Sequence, residues 1–264
     1  MRAIVVLVFP LWLAMADASG LLKISREFHE TAAKTGGDFY FWAPGEFASS
    51  SLQIPIHHEE VLLAYDAVED KRVFEIPVET GARTLTLFAG VQRKDLIAIV
   101  RPDGTAVRHG QSGVALQTFQ HMSIATIETP IAGVWKLELH GAGVYSISAH
   151  VRPAEEGIVF LSADFVEERG RPGHEGLFPI ERSAKRGESL TCRLRLSGPT
   201  RNVELTWVGQ DGTVMGTARM KPIGDDEYLG SCTAPDKPFR IGATGVDLNE
   251  RVFQRVERGL REPQ

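Results

Sequence analysis

Apolar and polar residues alternate with a period of two over most of the chain, from about residue 72 to residue 256. The run Phe74–Val78 is typical, because Phe, Ile and Val alternate in it with Glu and Pro, as in a strand with one buried face. Turn signals such as Asp103-Gly104 and Asp211-Gly212 separate these runs. Many short strands with regular turns predict an antiparallel β-sandwich or barrel and argue against βαβ units.

The alternation is interrupted at residues 152–157, where the sequence reads Arg-Pro-Ala-Glu-Glu-Gly. We interpret this segment as a domain boundary. The sequence therefore predicts two consecutive antiparallel β-sandwiches, residues 55–153 and residues 154–257, followed by a tail at 258–264. Each predicted domain has about 100 residues, which is long enough to bury a hydrophobic core of its own.

The first residues have the composition of an export signal. Arg2 precedes the apolar run Ala3–Ala14, and Ala14-Met15-Ala16 and Ala16-Asp17-Ala18 each offer a small-x-small cleavage pattern. We therefore predict a signal peptide at residues 1–18 and a secreted mature chain without a membrane span. A buried strand is the alternative interpretation of the same apolar run.

A short helical segment is predicted between the leader and the first sandwich. Ser25 can cap a helix over residues 21–36, and Gly36-Gly37 can end it. A short aromatic strand, Asp38–Trp42, follows, and residues 43–54 have the composition of a linker.

Charge and motifs restrict the possible functions. The 29 basic and 34 acidic residues give a formal charge of -5, which argues against a general nucleic-acid binder. The sequence has no G-x-S-x-G elbow, no Walker loop and no G-x-G-x-x-G fingerprint. His57-His58-Glu59-Glu60 could supply metal ligands, but neighbouring strand residues point to opposite faces, so we interpret it as a solvated segment before a strand. We predict no catalytic residue, no cofactor and no metal site, and hence no enzyme; an enzyme whose site has no motif is the alternative.

Cys192 and Cys232 are the two cysteines of the chain. An even number of cysteines in a secreted chain favours a disulfide, and two separate buried thiols are the alternative. Trp207 follows Cys192 by 15 residues, as in an immunoglobulin-like core. Position 230 is Gly where such domains carry Tyr, and by strand count Cys232 lies on the fifth strand. The bridge is therefore predicted to join neighbouring strands and not the two sheets.

Several stretches together resemble hemicentin-type extracellular proteins. The stretches that carry the resemblance are Phe28–Phe41, Arg101–Thr105, Pro130–Leu137, Gly143–Ser146, Phe239–Asp247 and Val252–Arg255. The first stretch looks like the end of a von Willebrand A domain (within residues 19–54). The next three look like a galactose-binding-like sandwich, and the last two look like an Ig-like domain. The A domain is truncated, and Asp17-Ala18-Ser19-Gly20-Leu21 has Leu where the metal-dependent adhesion motif has its second Ser. The resemblance therefore implies no metal ion, and Ala3–Phe9 could be a surviving strand of the A domain.

Trp135 and Tyr145 are predicted to be structural core residues, as is Trp207. Gly141 and Gly143 between them would allow a tight hairpin, across which Trp135 and Tyr145 would face each other.

The resemblance and the lack of catalytic motifs predict a non-enzymatic, secreted adhesion or extracellular-matrix interaction module, with an extracellular protein or glycan as its partner. The alternative is a carbohydrate-binding or accessory module of a secreted glycan-processing protein. Burial of Trp42, Trp135 and Trp207 would favour the first, and an exposed ring on a sandwich face would favour the second.

Overall fold

The computed structural model describes residues 5–8 (backbone only), 31, 32, 34, 35, 39–42, 46, 58–171, 173, 175–224 and 226–264. Within these residues the chain is nearly all β and forms several antiparallel sheets, which confirms the all-β part of the predicted fold class. Residues 31, 32, 34 and 35 are helical. The rest of the predicted helix, most of the predicted leader and all of the predicted linker except Glu46 lie outside the described residues.

Two strands precede the antiparallel sheets, namely β1 (Val5–Val8) and β2 (Phe39–Trp42), and they pair in parallel. The apolar run near the N-terminus thus contains a strand, in line with the alternative interpretation of that run. Cleavage after residue 18 stays a prediction.

The first large sheet has six strands, which are β3 (Glu59–Val68), β4 (Lys71–Val78), β5 (Thr84–Val100), β6 (Val114–Thr118), β7 (Met122–Glu128) and β8 (Gly133–Arg152). Their order is β3-β8-β5-β7-β6, and β4 also pairs with β8. β5 has 17 residues and β8 has 20, so these two are far longer than the short strands that the turn spacing predicts.

The long pair β5–β8 bends at two glycines where the sequence predicted a hairpin turn. β8 continues through Gly141 and Gly143 without reversing, and β5 has register shifts opposite them, between Val91 and Arg93 and between Lys94 and Leu96. A Cβ atom at Gly141 would lie 2.2 Å from the carbonyl oxygen of Arg93, so only glycine fits there. The bend lets β4 pair with one half of β8 and β3 with the other half.

The second group comprises β9 (Val159–Arg169), β10 (Gly176–Pro179), β11 (Ser189–Ser197), β12 (Arg201–Val208), β13 (Val214–Arg219), β14 (Lys221–Gly224), β15 (Glu227–Thr233), β16 (Arg240–Val246) and β17 (Val252–Val256). A five-stranded sheet has the order β10-β9-β11-β15-β14, and a four-stranded sheet has the order β13-β12-β16-β17. β8 ends at Arg152 and β9 begins at Val159, so the segment that we interpret as a boundary lies between the two groups.

Each group surrounds one buried apolar cluster. In the first group, alternating residues of β4, β5 and β8 such as Phe74, Leu85 and Leu137 contribute to it. In the second group, the cluster takes side chains from both sheets, for example Leu194 from the five-stranded sheet and Ile241 from the four-stranded sheet. The second group is therefore sandwich-like, since its two sheets cover a common core.

The last residues, within the predicted tail 258–264, pair with strands and loops of the second group. Arg261 forms an isolated β-bridge with Phe239. The backbone N–H of Gln264 donates to the oxygen of Ala184 (2.8 Å), and the N–H of Arg186 donates to the oxygen of Gln264 (3.0 Å).

Candidate functional site

Outside the two cores, β17 of the second group packs on β3 and β4 of the first, and we call this contact region the junction. Arg255 on β17 is completely buried and pairs with Glu79, which is 3% exposed at its side chain and follows β4. The Arg255 guanidinium also donates to the carbonyl oxygen of Ile158, from Nη2 at 2.8 Å and from Nε at 3.1 Å. A buried charge that is paired and fully hydrogen-bonded in this way strongly favours one relative placement of its elements.

A second contact of the junction is a hydrogen bond between the turn after β4 and the loop after β16. The backbone N–H of Thr80 donates to Oδ2 of Asp247 (2.8 Å), while Oδ1 of Asp247 accepts the N–H groups of Asn249 (2.8 Å) and Arg251 (2.9 Å). Burial acts to raise the pKa of Asp247, but these three donors outweigh it, so the pKa of this carboxyl lies below its ordinary value.

The Asp211-Gly212 turn packs directly on the first group. The turn itself forms as predicted, because Asp211 Oδ1 accepts the N–H (3.1 Å) and the hydroxyl (2.6 Å) of Thr213. Asp211 Oδ2 also accepts a 2.7 Å bond from Arg72 Nη2. A Cβ atom on Gly212 would lie 2.9 Å from the Cβ of Ala64, so the absence of a side chain allows the close approach.

Glu59 and Glu60 lie in the junction, and our interpretation of this segment as solvated is wrong for these two residues. Both are only partly exposed at the start of β3. Glu59 Oε2 accepts the N–H of Phe160 (2.8 Å), and Glu60 pairs with Arg258. Burial is the main reason why the pKa of Glu59 is raised. The sequence lacked any local sign of this role, because both partners are distant in the chain.

Arg240 on β16 is a second fully buried arginine of the junction. Its guanidinium carbon lies 5.5 Å from the centre of the Tyr65 ring, in cation–π geometry. Nε donates to the carbonyl oxygen of Arg258 (3.3 Å), and burial lowers the pKa of Arg240. This side chain therefore ties β16 to β3 without a direct carboxylate partner among the described residues.

Cys192 and Cys232 form a disulfide with a Cα–Cα distance of 6.1 Å. Cys192 on β11 pairs in register with Gly230, and Cys232 on β15 pairs with Leu190, so the bridge runs diagonally between adjacent strands. The predicted connection between neighbouring strands of one sheet is thus what the structure contains. The core beside the bridge includes Trp207, which packs edge-to-face on Phe239 at 4.9 Å.

Trp135 and Tyr145 are buried core residues, but they do not face each other. Both lie on the single strand β8, because that strand bends and does not turn back. Trp135 Nε1 donates to the carbonyl oxygen of Ile131 (2.8 Å), whereas Tyr145 packs edge-to-face on Phe74 at 5.5 Å. The predicted cross-strand contact between them is therefore wrong.

The aromatic strand β2 covers the outer face of the first sheet. Tyr40 and Trp42 join a buried cluster with Phe88 and Met122, and the hydroxyl of Ser146 donates to the carbonyl oxygen of Phe39 (2.9 Å). His150, which also points away from the first core, is consequently fully buried. The four consecutive aromatic residues of β2, Phe39–Trp42, are all buried. Such a run is a sequence signal for a strand that is buried on both faces. Our prediction of a short aromatic strand did not include this burial.

In the described part of the chain, no group of three or more His, Cys, Asp or Glu residues could hold a metal ion. No helix among the described residues is both long and apolar enough to cross a membrane.

No family model matches the chain, and no curated protein matches it. A solved structure that resembles it is that of a lipase from Bacillus licheniformis, BlEst2, in its propeptide form. The two have 13% sequence identity and a TM-score of 0.30, over 78% of this chain and 45% of the lipase chain. The chain thus spans less than half the length of that structure, and at this TM-score the likeness carries no argument about fold or function.

Proposed function

We propose that the second group is an Ig-like β-sandwich. Its strand orders β9-β11-β15-β14 and β13-β12-β16-β17 correspond to the ABED sheet and the sheet built on C, F and G of that class. The short strand β10 is an addition at the edge of the first of these sheets. The disulfide connects the positions of B and E, where antibody domains connect B and F, so this domain is a variant of the class.

The first group is, in this proposal, the galactose-binding-like sandwich, made from one sheet that folds over at the bend in β5 and β8. The segment before it is the end of a von Willebrand A domain. The parallel pair β1–β2 with helical residues between its strands supports this assignment, because parallel strands need a crossover connection.

The protein serves as a secreted, non-enzymatic adhesion or extracellular-matrix interaction module. The observation that supports this proposal is the junction, where the buried Glu79–Arg255 pair and the Thr80–Asp247 bond connect the two strand groups. A bonded connection of this kind suits an interaction module, because it keeps the surfaces of the two groups in one relative orientation. The Cys192–Cys232 disulfide supports an oxidising, extracellular location.

A carbohydrate-binding module is the alternative, and it needs exposed aromatic rings for stacking on sugars. Trp42, Trp135 and Trp207 are between 1% and 4% exposed, so these three rings are core residues. Their burial favours the adhesion module.

The test applies the purified, disulfide-intact full chain to decellularised fibroblast matrix and to a glycan array. We expect retention on the matrix well above that of serum albumin, and no array signal at high protein concentration. Retention equal to that of albumin would contradict the adhesion function, and a saturable signal on a defined glycan would support the alternative.

A further inference from the structure

The outermost strand of the first large sheet, β6 (Val114–Thr118), has one free edge. β6 pairs with β7 on one side, and no described strand pairs with its other side. A free edge presents backbone donors and acceptors in a row, to which a strand of another chain can bond. Natural sheets usually protect such an edge, so the groups and the protection of this edge decide what it can bind.

Two hydrogen bonds show which residues of β6 face β7. The N–H of Phe119 donates to the oxygen of Met122 (2.8 Å), and the N–H of Glu128 donates to the oxygen of Gly113 (2.8 Å). Hydrogen-bonding direction alternates along an antiparallel strand, so the odd-numbered residues of β6 bond β7 and the even-numbered residues point outward. The outward residues are Val114, Leu116 and Thr118.

The middle of this edge is open, although the chain itself occupies both ends. At one end the N–H of Val114 donates to the oxygen of Gln111 (3.2 Å). Beyond the other end, the N–H of Gln120 donates to Glu46 Oε1 (2.8 Å). Between these bonds, the two other outward N–H groups and all three outward oxygens bond no described residue. Two donors and three acceptors therefore remain for a further strand.

The edge of β6 also lacks the protection that other outer strands have. β10 and β14 contain Pro179 and Pro222, which cannot donate a backbone hydrogen bond. The outer edge of β3 is covered by the second group, since the N–H of Tyr65 donates to the oxygen of Gln210 (2.8 Å). By contrast, residues 110–121 contain no Pro, Lys, Arg, Asp or Glu. Neither a proline nor a charge therefore opposes the addition of a strand to β6.

The groups of this edge are complementary to those of a second, identical edge. Two copies that pair antiparallel about a two-fold axis have four outward N–H groups to satisfy. If Leu116 lies opposite its counterpart, the two Leu116 residues exchange bonds, and each Thr118 N–H donates to the other copy's Val114 oxygen. If Gln117 lies opposite its counterpart, Leu116 and Thr118 of the two copies exchange bonds. Both registers satisfy all four donors, and the uncharged edges do not repel each other.

The side chains of the edge favour the same partner. Val114 and Leu116 are partly buried and pack against the first core, and Thr118 is exposed on the same face of the strand. In either register the second copy brings its own Leu116 to this face, directly opposite the first or at a diagonal position. The pairing therefore covers apolar surface at the rim of each core in addition to bonding the backbones.

We propose that two copies of the chain associate through β6, so that their six-stranded sheets become one continuous sheet. The contact is isologous, since the same edge serves both copies. The proposal goes beyond the adhesion function and does not depend on it. A dimer of this kind presents every binding surface twice, which strengthens attachment to a surface that carries several partners.

Single-cysteine variants of the disulfide-intact full chain test the pairing. The native cysteines are bonded to each other, so Ala115→Cys and Gln117→Cys each add one free thiol. Both positions lie on the face of β6 that points away from the core, because they alternate with Val114 and Leu116. In a joined sheet, directly opposite residues of this face have Cα atoms about 4.5 Å apart, within disulfide reach. Diagonal residues lie about 7–8 Å apart, beyond that reach.

The variants are oxidised in air and examined by non-reducing electrophoresis. If Leu116 lies opposite its counterpart, a covalent dimer forms when the two variants are mixed and not with either alone. If Gln117 lies opposite its counterpart, Gln117→Cys alone forms the dimer. Ala115→Cys alone forms none in either register and is the matched control. Absence of a covalent dimer from all samples, or one that Ala115→Cys forms as fast as the others, would overturn the proposal.

Sedimentation at increasing protein concentration tests the same contact without a cross-link. The wild type should pass from the mass of a monomer to that of a dimer. Thr118→Pro removes an outward donor but no bond to β7, and it should raise the dimer Kd by about tenfold or more. Thr118→Val keeps the N–H and should leave the Kd unchanged. A wild type that stays monomeric up to about 1 mM, or equal Kd values for the two variants, would overturn the proposal.

Discussion

Arg255 and Glu79 form a buried ion pair between the two strand groups, in which Nη1 of the arginine lies 3.3 Å from Oε2 of the glutamate and Nη2 bonds Oε1. Arg255 comes from β17, and Glu79 follows β4. The nearest additional carboxylate is Glu59, whose Oε2 lies 3.9 Å from Arg255 Nε. Removal of either partner therefore leaves a buried charge that is poorly compensated.

We expect Glu79→Met and Arg255→Met each to lower the free energy of unfolding by about 3–5 kcal/mol, since breaking a buried pair strands the remaining charge. The double variant should be destabilised less than either single variant, because it leaves no unpaired charge. Urea unfolding at pH 7 measures the three values. Arg201→Met is the control, since its pair with Glu250 is exposed and its loss should change stability little. Strictly additive effects in the double variant would contradict the coupling.

Two Asp-Gly-Thr turns with the same local geometry test the packing of the two strand groups on each other. Gly104 and Gly212 have φ values of 84° and 83°, so alanine is strained equally at both. A Cβ atom at Gly104 would meet nothing within 4 Å, whereas one at Gly212 would lie 2.9 Å from Ala64.

Gly104→Ala should therefore cost about 1–2 kcal/mol of unfolding free energy, and Gly212→Ala should cost distinctly more. The difference measures the contact between the two strand groups and is read from chemical unfolding of the two variants side by side. Equal costs would show that the turn at Gly212 does not pack on Ala64 in solution.

The sequence predicted the elements of this fold better than their connections. The period-two pattern places Leu85, Leu137 and Leu194 in the cores, because one buried face is enough to fix the alternation of a strand. The bend at Gly141 was missed, since a glycine pair between two apolar runs has the same composition whether the chain turns back or bends. Only the pairing of β3 and β4 with opposite halves of β8 distinguishes the two cases.

The junction could not be predicted from the sequence, and the reason is the distance along the chain between its partners. Glu79 and Arg255 are separated by 176 positions, and neither has a local motif that marks it as buried. Charged residues are mostly exposed, so single-residue preferences place Glu59 and Glu60 at the surface. The Cys192–Cys232 bridge was predictable, because the chain has two cysteines and the strand count puts them on neighbouring strands.

The lowered pKa of Asp247 predicts that the junction weakens at acidic pH. Because its pKa is lowered in the folded state, the carboxylate stabilises the fold at pH values above its unfolded pKa of about 3.9. That contribution is lost as the pH falls through the lower, folded pKa. Asp247→Asn should therefore be less stable than the wild type at pH 7, and the difference should shrink as the pH falls from about 5 through the folded pKa. Urea midpoints at intervals over this range measure it, and a difference that stays constant with pH would contradict the assignment.

The disulfide provides a prediction that is independent of the junction. It closes a separation of 40 residues, and the chain-entropy estimate for such a loop is about 4 kcal/mol. Cys192→Ala combined with Cys232→Ala should lower the unfolding free energy by roughly 2–5 kcal/mol, since the unfolded chain gains freedom and the core beside Trp207 loses contacts. Guanidinium unfolding with and without reductant measures the effect. Reductant should lower the unfolding free energy of the wild type towards that of the double variant and leave the variant unchanged. If the disulfide is fully reduced and the unfolding free energy of the wild type does not change, the stabilising role of the bridge is contradicted.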